Sequence, residues 1–454
     1  MTPRTSSRKR CAVELFAALC IAIAASALPG CGQREPVSAG EPAPADGGPA
    51  LPMTEPVLLG HYRATLKLPG GETPFGLDIA REDGNYVAYL QNGDERVRVP
   101  EITVADGGLS MVMPGFVNSI VAKVDGPELR GKLTLVKRDG KNQVIDFRAR
   151  HGLKFRFVEE PLTDNADLTG RWAVTFTDSD GNSYPAVGEF RQSHHELSGT
   201  FLTPTGDFRY LAGDVLDNEF FLSTFDGAHA YLLRGRIGPD GLMQGKYWSG
   251  LASEEIFLGR RDDAAAIEDG ESSTRLRSDS EAFGFEFPDL EGNRVNLRDP
   301  RFAGKVVVVT LAGSWCPNCH DEAAFLAPYY LRNRDRGFEA IALMFENASN
   351  FSEAVVAIQR FRERHDIRYT TLVAGSSDKK LATGQMPQLD AVRAFPTTIF
   401  IDRNGKVRRI HTGFDGPATG AHYDELIESF DATVEQLLNE AAATSEVATS
   451  AAEP

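Results

Sequence analysis

Apolar and polar residues alternate singly through residues 57–160 and again through 168–261, and Gly, Asp and Asn break the alternation at short intervals. A period of two sends successive side chains to opposite faces of an extended chain, so both stretches are predicted to be short antiparallel strands joined by tight turns. Residues 172–176, 220–225 and 230–234 are three such strands, and neither stretch holds a helical period of useful length. From Phe283 the texture changes, and residues 287–297 read as a hairpin. The unbroken run Val306-Val-Val-Val-Thr310 reads as a central strand buried on both faces. Further strands are predicted over 338–345, over 369–373 and up to Ile401-Asp402. A helix over 352–365 puts Val355, Ile358 and Phe361 on one face, and a last helix over 423–440 carries Leu426, Ile427, Phe430, Val434 and Leu437. Strands alternating with helices predict an α/β domain at the C-terminus, preceded by two antiparallel β domains.

The two β-rich stretches align with each other at an offset of about 110 residues. Gly60-His61-Tyr62 matches Gly170-Arg171-Trp172, and Asp125-Gly126 through Gly131-Lys132 matches Asp240-Gly241 through Gly245-Lys246, with Ile145 against Ile256. We read a tandem duplication of one antiparallel unit, each copy large enough for a small barrel or sandwich. Gly170-x-Trp172 resembles the lipocalin signature, which implies that Arg260 or Arg261 on the last strand covers the indole; the first copy has Tyr62 instead. His194-His195 suggests a metal at first sight. Neighbours on a strand face opposite ways, however, and no carboxylate or Cys stands at ligand spacing, so the pair is read as surface and no metal site is assigned.

The chain has 454 residues, too many for one core, and its 42% hydrophobic and 25% charged content is that of folded protein. A formal charge of −16 excludes a nucleic-acid role, which needs a basic face. Of five cysteines, Cys11 and Cys20 fall in an apolar leader, Cys31 follows it, and Cys316 and Cys319 alone remain for the folded body. One close pair in an exported chain is read as a working couple rather than as a disulfide framework. Residues 1–30 have the layout of a secretory signal, with Arg8-Lys9-Arg10 before an apolar stretch that is shorter than the about 20 residues of a membrane span. Leu28-Pro29-Gly30-Cys31 resembles the bacterial lipobox, implying acylation of Cys31 and anchoring to the membrane of the cell envelope, facing the periplasm or extracytoplasmic space. The expected order is signal 1–30, tether 31–56, β domains 57–160 and 161–261, linker 262–281, α/β domain 282–440 and a disordered tail 441–454.

Trp315-Cys316-Pro317-Asn318-Cys319 follows the buried strand and opens a helical stretch. A cysteine at a helix N-terminus faces free N–H groups and the positive dipole end, which favour thiolate, and one a turn later can attack a mixed disulfide. With Glu322 and with Phe395-Pro396-Thr397-Thr398 before a strand, residues 283–440 resemble the TlpA/ResA group of membrane-tethered bacterial thiol–disulfide oxidoreductases. The resemblance implies a thioredoxin fold, no cofactor, Cys316 as the exposed attacking thiolate and Cys319 as the resolving thiol. Pro396 would be a cis-proline whose loop, with Trp315, Phe395 and Thr397, meets substrate. Glu322 would be an active-site glutamate, set against its plainer reading as an exposed carboxylate in the first turns of a helix. Two departures stand out: thioredoxin's buried Asp is replaced by Thr310, and its helix-kinking Pro by Ala324. No cation lies between the cysteines and a carboxylate lies near, which favours a reductant of protein disulfides served by an upstream electron donor. Cys-x-x-Cys-His also matches covalent haem attachment, but haem domains are mostly helical. The alternative function is copper handling through Cys316, Cys319 and His320.

Overall fold

The computed structural model describes residues 56–137, 141–161, 164–267, 273–278 and 283–440. The leader, Cys31, the tether up to residue 55 and the tail 441–454 lie outside the described residues.

The first β region supplies β1 (Gly60–Leu68), β2 (Gly71–Glu82), β3 (Asn85–Asn92), β4 (Glu95–Val99), β5 (Glu101–Ala105), β6 (Gly108–Val112), β7 (Ser119–Asp125), β8 (Glu128–Leu135) and β9 (Gln143–His151). Each strand pairs with its sequence neighbour, and β9 returns to pair with β1. The order β4-β3-β2-β1-β9-β8-β7-β6-β5 leaves the ring open only between β4 and β5, which meet at Pro100. Proline cannot donate to a ladder, which suits it to a sheet edge.

The second region repeats the plan with β10 (Gly170–Thr177), β11 (Ser183–Ser193), β12 (Glu196–Thr203), β13 (Gly206–Asp207), β14 (Leu211–Leu216), β15 (Glu219–Phe225), β16 (Ala230–Ile237), β17 (Met243–Ser249) and β18 (Ser253–Arg261). Here β11 pairs with β12, and β18 with β10, so the ring closes into a barrel. Phe176, Phe201, Phe220 and Phe257 fill it, as expected for a small barrel packed solid by its inward side chains.

The two rings share their irregular points as well as their order. Gly60 and Gly170 open the first strands at φ +113° and +109°. Two residues on, Tyr62 Oη donates to the Leu58 carbonyl (2.8 Å) and Trp172 Nε1 to the Leu168 carbonyl (2.9 Å). Opposite these rings stand His151 and Arg261 on the last strands. His151 lies edge-on to Tyr62 (5.0 Å) and bonds the Leu59 carbonyl (2.9 Å); Arg261 lies over Trp172 (4.8 Å) and donates to the Thr169 carbonyl. Arg261 is thus the cover of the indole, while Arg260 pairs with Asp262. One expected match is displaced. Gly131 faces Phe147 and Gly245 faces Phe257, so Ile256, 55% exposed, does not correspond to Ile145, 1% exposed. His194-His195 also differs from expectation. The pair forms the turn between β11 and β12, with His194 at φ +58°, instead of lying on a strand.

Residues assigned to the second linker are partly docked. Ala265 is buried against Val187 and Leu202, Thr274 N–H donates to Thr412 Oγ1 (3.2 Å), and Leu276 bridges to Leu389. The polar, small-residue pattern there gave no sign of this packing.

The C-terminal region begins with a hairpin of β19 (Glu286–Pro288) and β20 (Arg294–Asn296). Its main sheet holds β21 (Val306–Ala312), β22 (Phe338–Glu346), β23 (Thr370–Ser376), β24 (Thr397–Ile401) and β25 (Val407–Thr412) in the order β23-β22-β21-β24-β25. β21, β22 and β23 are parallel, β24 is antiparallel to β21, and β25 is antiparallel to β24. Every residue of β21 and β22 is buried, which explains why they are apolar apart from Thr310, Glu339 and Glu346. The helices are α1 (Pro317–Asn333), α2 (Phe351–His365), α3 (Lys379–Gln385) and α4 (Ala421–Asn439). Phe430 of α4 packs on Phe400 of the sheet (4.9 Å) and on Phe325 and Tyr329 of α1 (5.0 and 5.2 Å). This is the thioredoxin fold. No helix among the described residues is long and apolar enough to cross a membrane.

Candidate redox active site

β21 ends at Ala312, and four residues carry the chain to the start of α1. Gly313 is required by this path: a Cβ there would fall 2.3 Å from Trp315 Nε1 and 2.8 Å from the Phe345 carbonyl. Trp315 therefore folds back over the glycine and donates to that carbonyl (2.8 Å). Cys316 is the N-cap of α1, with Pro317 in the first helical position, where a missing N–H costs nothing. Its Sγ accepts the Cys319 N–H and its thiol donates to the Phe395 carbonyl, both at 3.3 Å. The Phe395–Pro396 bond is cis. Phe395 packs edge-on to Trp315 (5.8 Å), and Thr397, fully buried, donates to the Ala394 carbonyl (2.9 Å). The expected residues at 315, 316, 319, 395, 396 and 397 thus meet around two free thiols.

Two expectations are corrected. Cys316 is not the exposed partner: it is 5% exposed and Cys319 1%. Glu322 is not an exposed carboxylate either, being 3% exposed one turn beyond Cys319 on α1. Thr310 Oγ1 donates to one of its oxygens (2.5 Å) and Thr398 Oγ1 to the other. The Thr at the place of thioredoxin's buried Asp therefore holds a carboxyl that arrives from the helix. Burial outweighs these two hydrogen bonds and pushes Glu322 up to about 7. Burial first, then Cys316 and Glu322, push the Cys319 thiol well above its usual range.

A family model for redoxin domains matches residues 277–427. Among solved structures, a thioredoxin-family thiol:disulfide interchange protein from Chlorobium tepidum TLS matches at 19% identity and TM-score 0.27, covering 35% of this chain and 94% of that one. The thiol-disulfide oxidoreductase ResA of Halalkalibacterium halodurans is 31% identical over 139 residues, which is 30% of this chain and 69% of that protein. ResA of Geobacillus thermodenitrificans is 31% identical over 140 residues, covering 31% of this chain and 72% of that protein. The chain belongs to the ResA family. It is a thiol–disulfide oxidoreductase.

In this ResA-family chain both ring nitrogens of His320 are engaged away from the thiols. Nε2 lies 2.9 Å from the Ser314 carbonyl and Nδ1 2.8 Å from His365 Nε2, while the ring packs at a tilt against Phe116 (4.2 Å). Burial and then His365 hold His320 well below the usual imidazole range, so it is neutral at pH 7. The family assignment and this geometry both disfavour copper handling by Cys316, Cys319 and His320.

Sequence reasoning missed four groups beside the motif. Glu346, the last residue of β22, accepts Ser314 N–H (2.9 Å) and Ser314 Oγ (2.7 Å), and burial pushes it up to about 7. Lys379, at the start of α3, is near enough to Cys316 to feel its charge, although burial lowers the ammonium below its usual range. Asp207, from β13, accepts Asn318 Nδ2 (3.1 Å) and Gly416 N–H (2.8 Å). Arg209 donates to the Pro317 carbonyl (3.2 Å) and pairs with Glu95 (2.5 Å), Asp226 (3.3 Å) and Asp321 (3.2 Å). That guanidinium joins the first ring, the second ring and the redox domain. Burial pushes Asp321 up to about 7 against the pull of Arg209. Burial acts the same way on Asp226, but His229 and Arg209 overcome it and hold that carboxyl well below the usual range. The absence of a cation between the cysteines in sequence is therefore not the absence of one in space.

Proposed function

We propose that the chain reduces protein disulfides outside the cytoplasm through Cys316 and Cys319, anchored by lipid on Cys31. The observation that carries the reading is Cys316 at the N-cap of α1 with Cys319 buried one turn behind it. The Cys316 thiolate attacks a substrate disulfide, one substrate sulfur leaves as thiolate, and a mixed disulfide forms. Cys319 then gives its proton to Glu322, attacks Cys316 Sγ and releases the second substrate thiol. Two electrons pass to the substrate, and the Cys316–Cys319 disulfide awaits an upstream dithiol donor. A carboxyl near pH 7 suits that proton transfer, since a base works best with a pKa close to the working pH. Cys319 resists ionisation, so it adds no thiolate of its own to stabilise the reduced form, and it needs a base such as Glu322 before it can attack. Trp315 is the half-buried face of the platform on which substrate backbone lies, and Phe395, Pro396 and Thr397 are buried behind it and fix its shape.

Cys319→Ser tests the mechanism, since it should hold substrate proteins as mixed disulfides on Cys316 that thiol reagents release. No trapped adduct with Cys319→Ser, or equal trapping by Cys316→Ser, would overturn the role assignment. Mass spectrometry of the mature N-terminus tests the anchor: an unmodified peptide beginning elsewhere than Cys31 would end that part.

A further inference from the structure

The sides of the motif are unequally covered. On one, β13 and the loops around it lie across the site: Asp207 binds Asn318, Arg209 binds the Pro317 carbonyl, and the Thr205 carbonyl carbon lies 3.1 Å from where a Cβ on Gly413 would be. Gly413 N–H in turn donates to the Pro396 carbonyl (2.9 Å), so this hairpin reaches the cis-proline loop. Phe116 of the first ring seals the His320 side. On the other side, at Ser314 and Trp315, the chain leaves a groove of about 600 Å³ between the first ring and the edge of the redox domain. That volume lies within the range of specific binding pockets, roughly 300–1,000 Å³. One wall carries Phe116, Val117 and Val136; the other carries Ala348, Val356 and Ala357. Val117 and Val356 are large apolar residues left 39% and 51% exposed on opposite domains.

We propose that this groove is a substrate-binding site to which the first ring contributes: it receives an extended polypeptide segment with apolar residues beside its disulfide, gripped between Val117 and Val356. The proposal rests on the disulfide-reductase reading above. The inner wall of the groove is Trp315, the residue before Cys316, so a backbone lying on that platform continues into the groove. Of its ionisable residues, Glu346 is already bound by Ser314 and pushed up to about 7, leaving Glu353 against the ammonium of Lys137, so the groove carries little net charge and favours a neutral, apolar peptide. Val117 and Val356 are specificity-determining contacts and take no part in the thiol chemistry.

The test compares the reduced full chain acting on insulin, a protein disulfide, and on dithiodipyridine, a small uncharged disulfide that needs no groove. Val117→Asp and Val356→Asp, made singly, are each expected to lower kcat/KM for insulin by roughly tenfold or more, the usual effect of losing one apolar contact in a specificity pocket. The dithiodipyridine rate should not change. Unchanged insulin rates in both variants would overturn the site, as would equal losses with both probes in folded protein. Because the two residues stand on different domains, a folding defect in one variant leaves the other decisive. A wild-type chain that reacts with neither probe would overturn the reductase reading itself.

Discussion

Glu322 and Cys319 are buried on one face of α1, and the carboxylate raises the cost of ionising the thiol. The carboxyl titrates near 4.5 in an unfolded chain and near about 7 in the folded one. Below pH 4.5 both states hold the proton and the contribution to stability is complete. As pH rises toward 7 the unfolded chain releases its proton while the folded chain keeps it, so stability falls and the contribution is gone above that point. Glu322→Gln removes this term. Its stability is expected to drop less than the wild type's between pH 5 and pH 8, by on the order of 2–3 kcal/mol, measured by denaturant melts. Equal slopes would show that Glu322 titrates normally. The same burial orders the thiols. Iodoacetamide on the reduced protein should label Cys316 well before Cys319, as peptide mapping would read; the reverse order would undo the assignment of attacker and resolver.

Among elements, β21 and α1 were legible because their signals are local. Five β-branched or apolar residues in a row, a Cys at an N-cap and a Pro after it need no distant partner to be recognised. Glu322 was legible as a position but not as an environment, since its burial depends on Thr398 from a strand formed 76 residues later. Glu346 lies one residue past the strand expected over 338–345, and nothing local shows that it accepts the Ser314 N–H. Arg209 was beyond reach of any local pattern. Its left-handed φ of +57° and its ion partners exist only once three domains have packed. Arg209→Met leaves Glu95, Asp226 and Asp321 without their shared cation. A loss of about 3–5 kcal/mol is expected on chemical denaturation, the usual result of stranding buried charge. A loss below 1 kcal/mol would mean that water already screens the cluster.

For the whole molecule, alternation predicted two antiparallel β domains, but the return of each last strand to its first, and the full closure of the second ring alone, were long-range properties that no window of sequence carries. The duplication that we propose from a few glycines is best supported by a pair of unlike residues at matching positions. His151 and Arg261 are chemically unlike, yet each caps the aromatic residue of its first strand and ties down a carbonyl at matching positions. We expect His151→Ala and Arg261→Ala each to weaken the protein by about 1–2 kcal/mol, the sum of one ring contact and one hydrogen bond, in thermal or denaturant melts. If either is neutral, the two caps are not equivalent.

The hairpin seated on Asn318 has a consequence for electron traffic. Two reactive sites of this kind cannot press face to face, because β13 already occupies the surface that such an encounter would use. A reduced chain should therefore exchange poorly with an oxidised copy of itself and poorly with bulky oxidants arriving from that side. In an oxidising surrounding this amounts to insulation: electrons delivered to the dithiol stay there until a partner shaped for the open flank collects them. Reduced Cys319→Ser protein, which cannot resolve a mixed disulfide, is expected to stay monomeric on non-reducing gels when left in air, and steady accumulation of a dimer linked through Cys316 would show that the insulation fails.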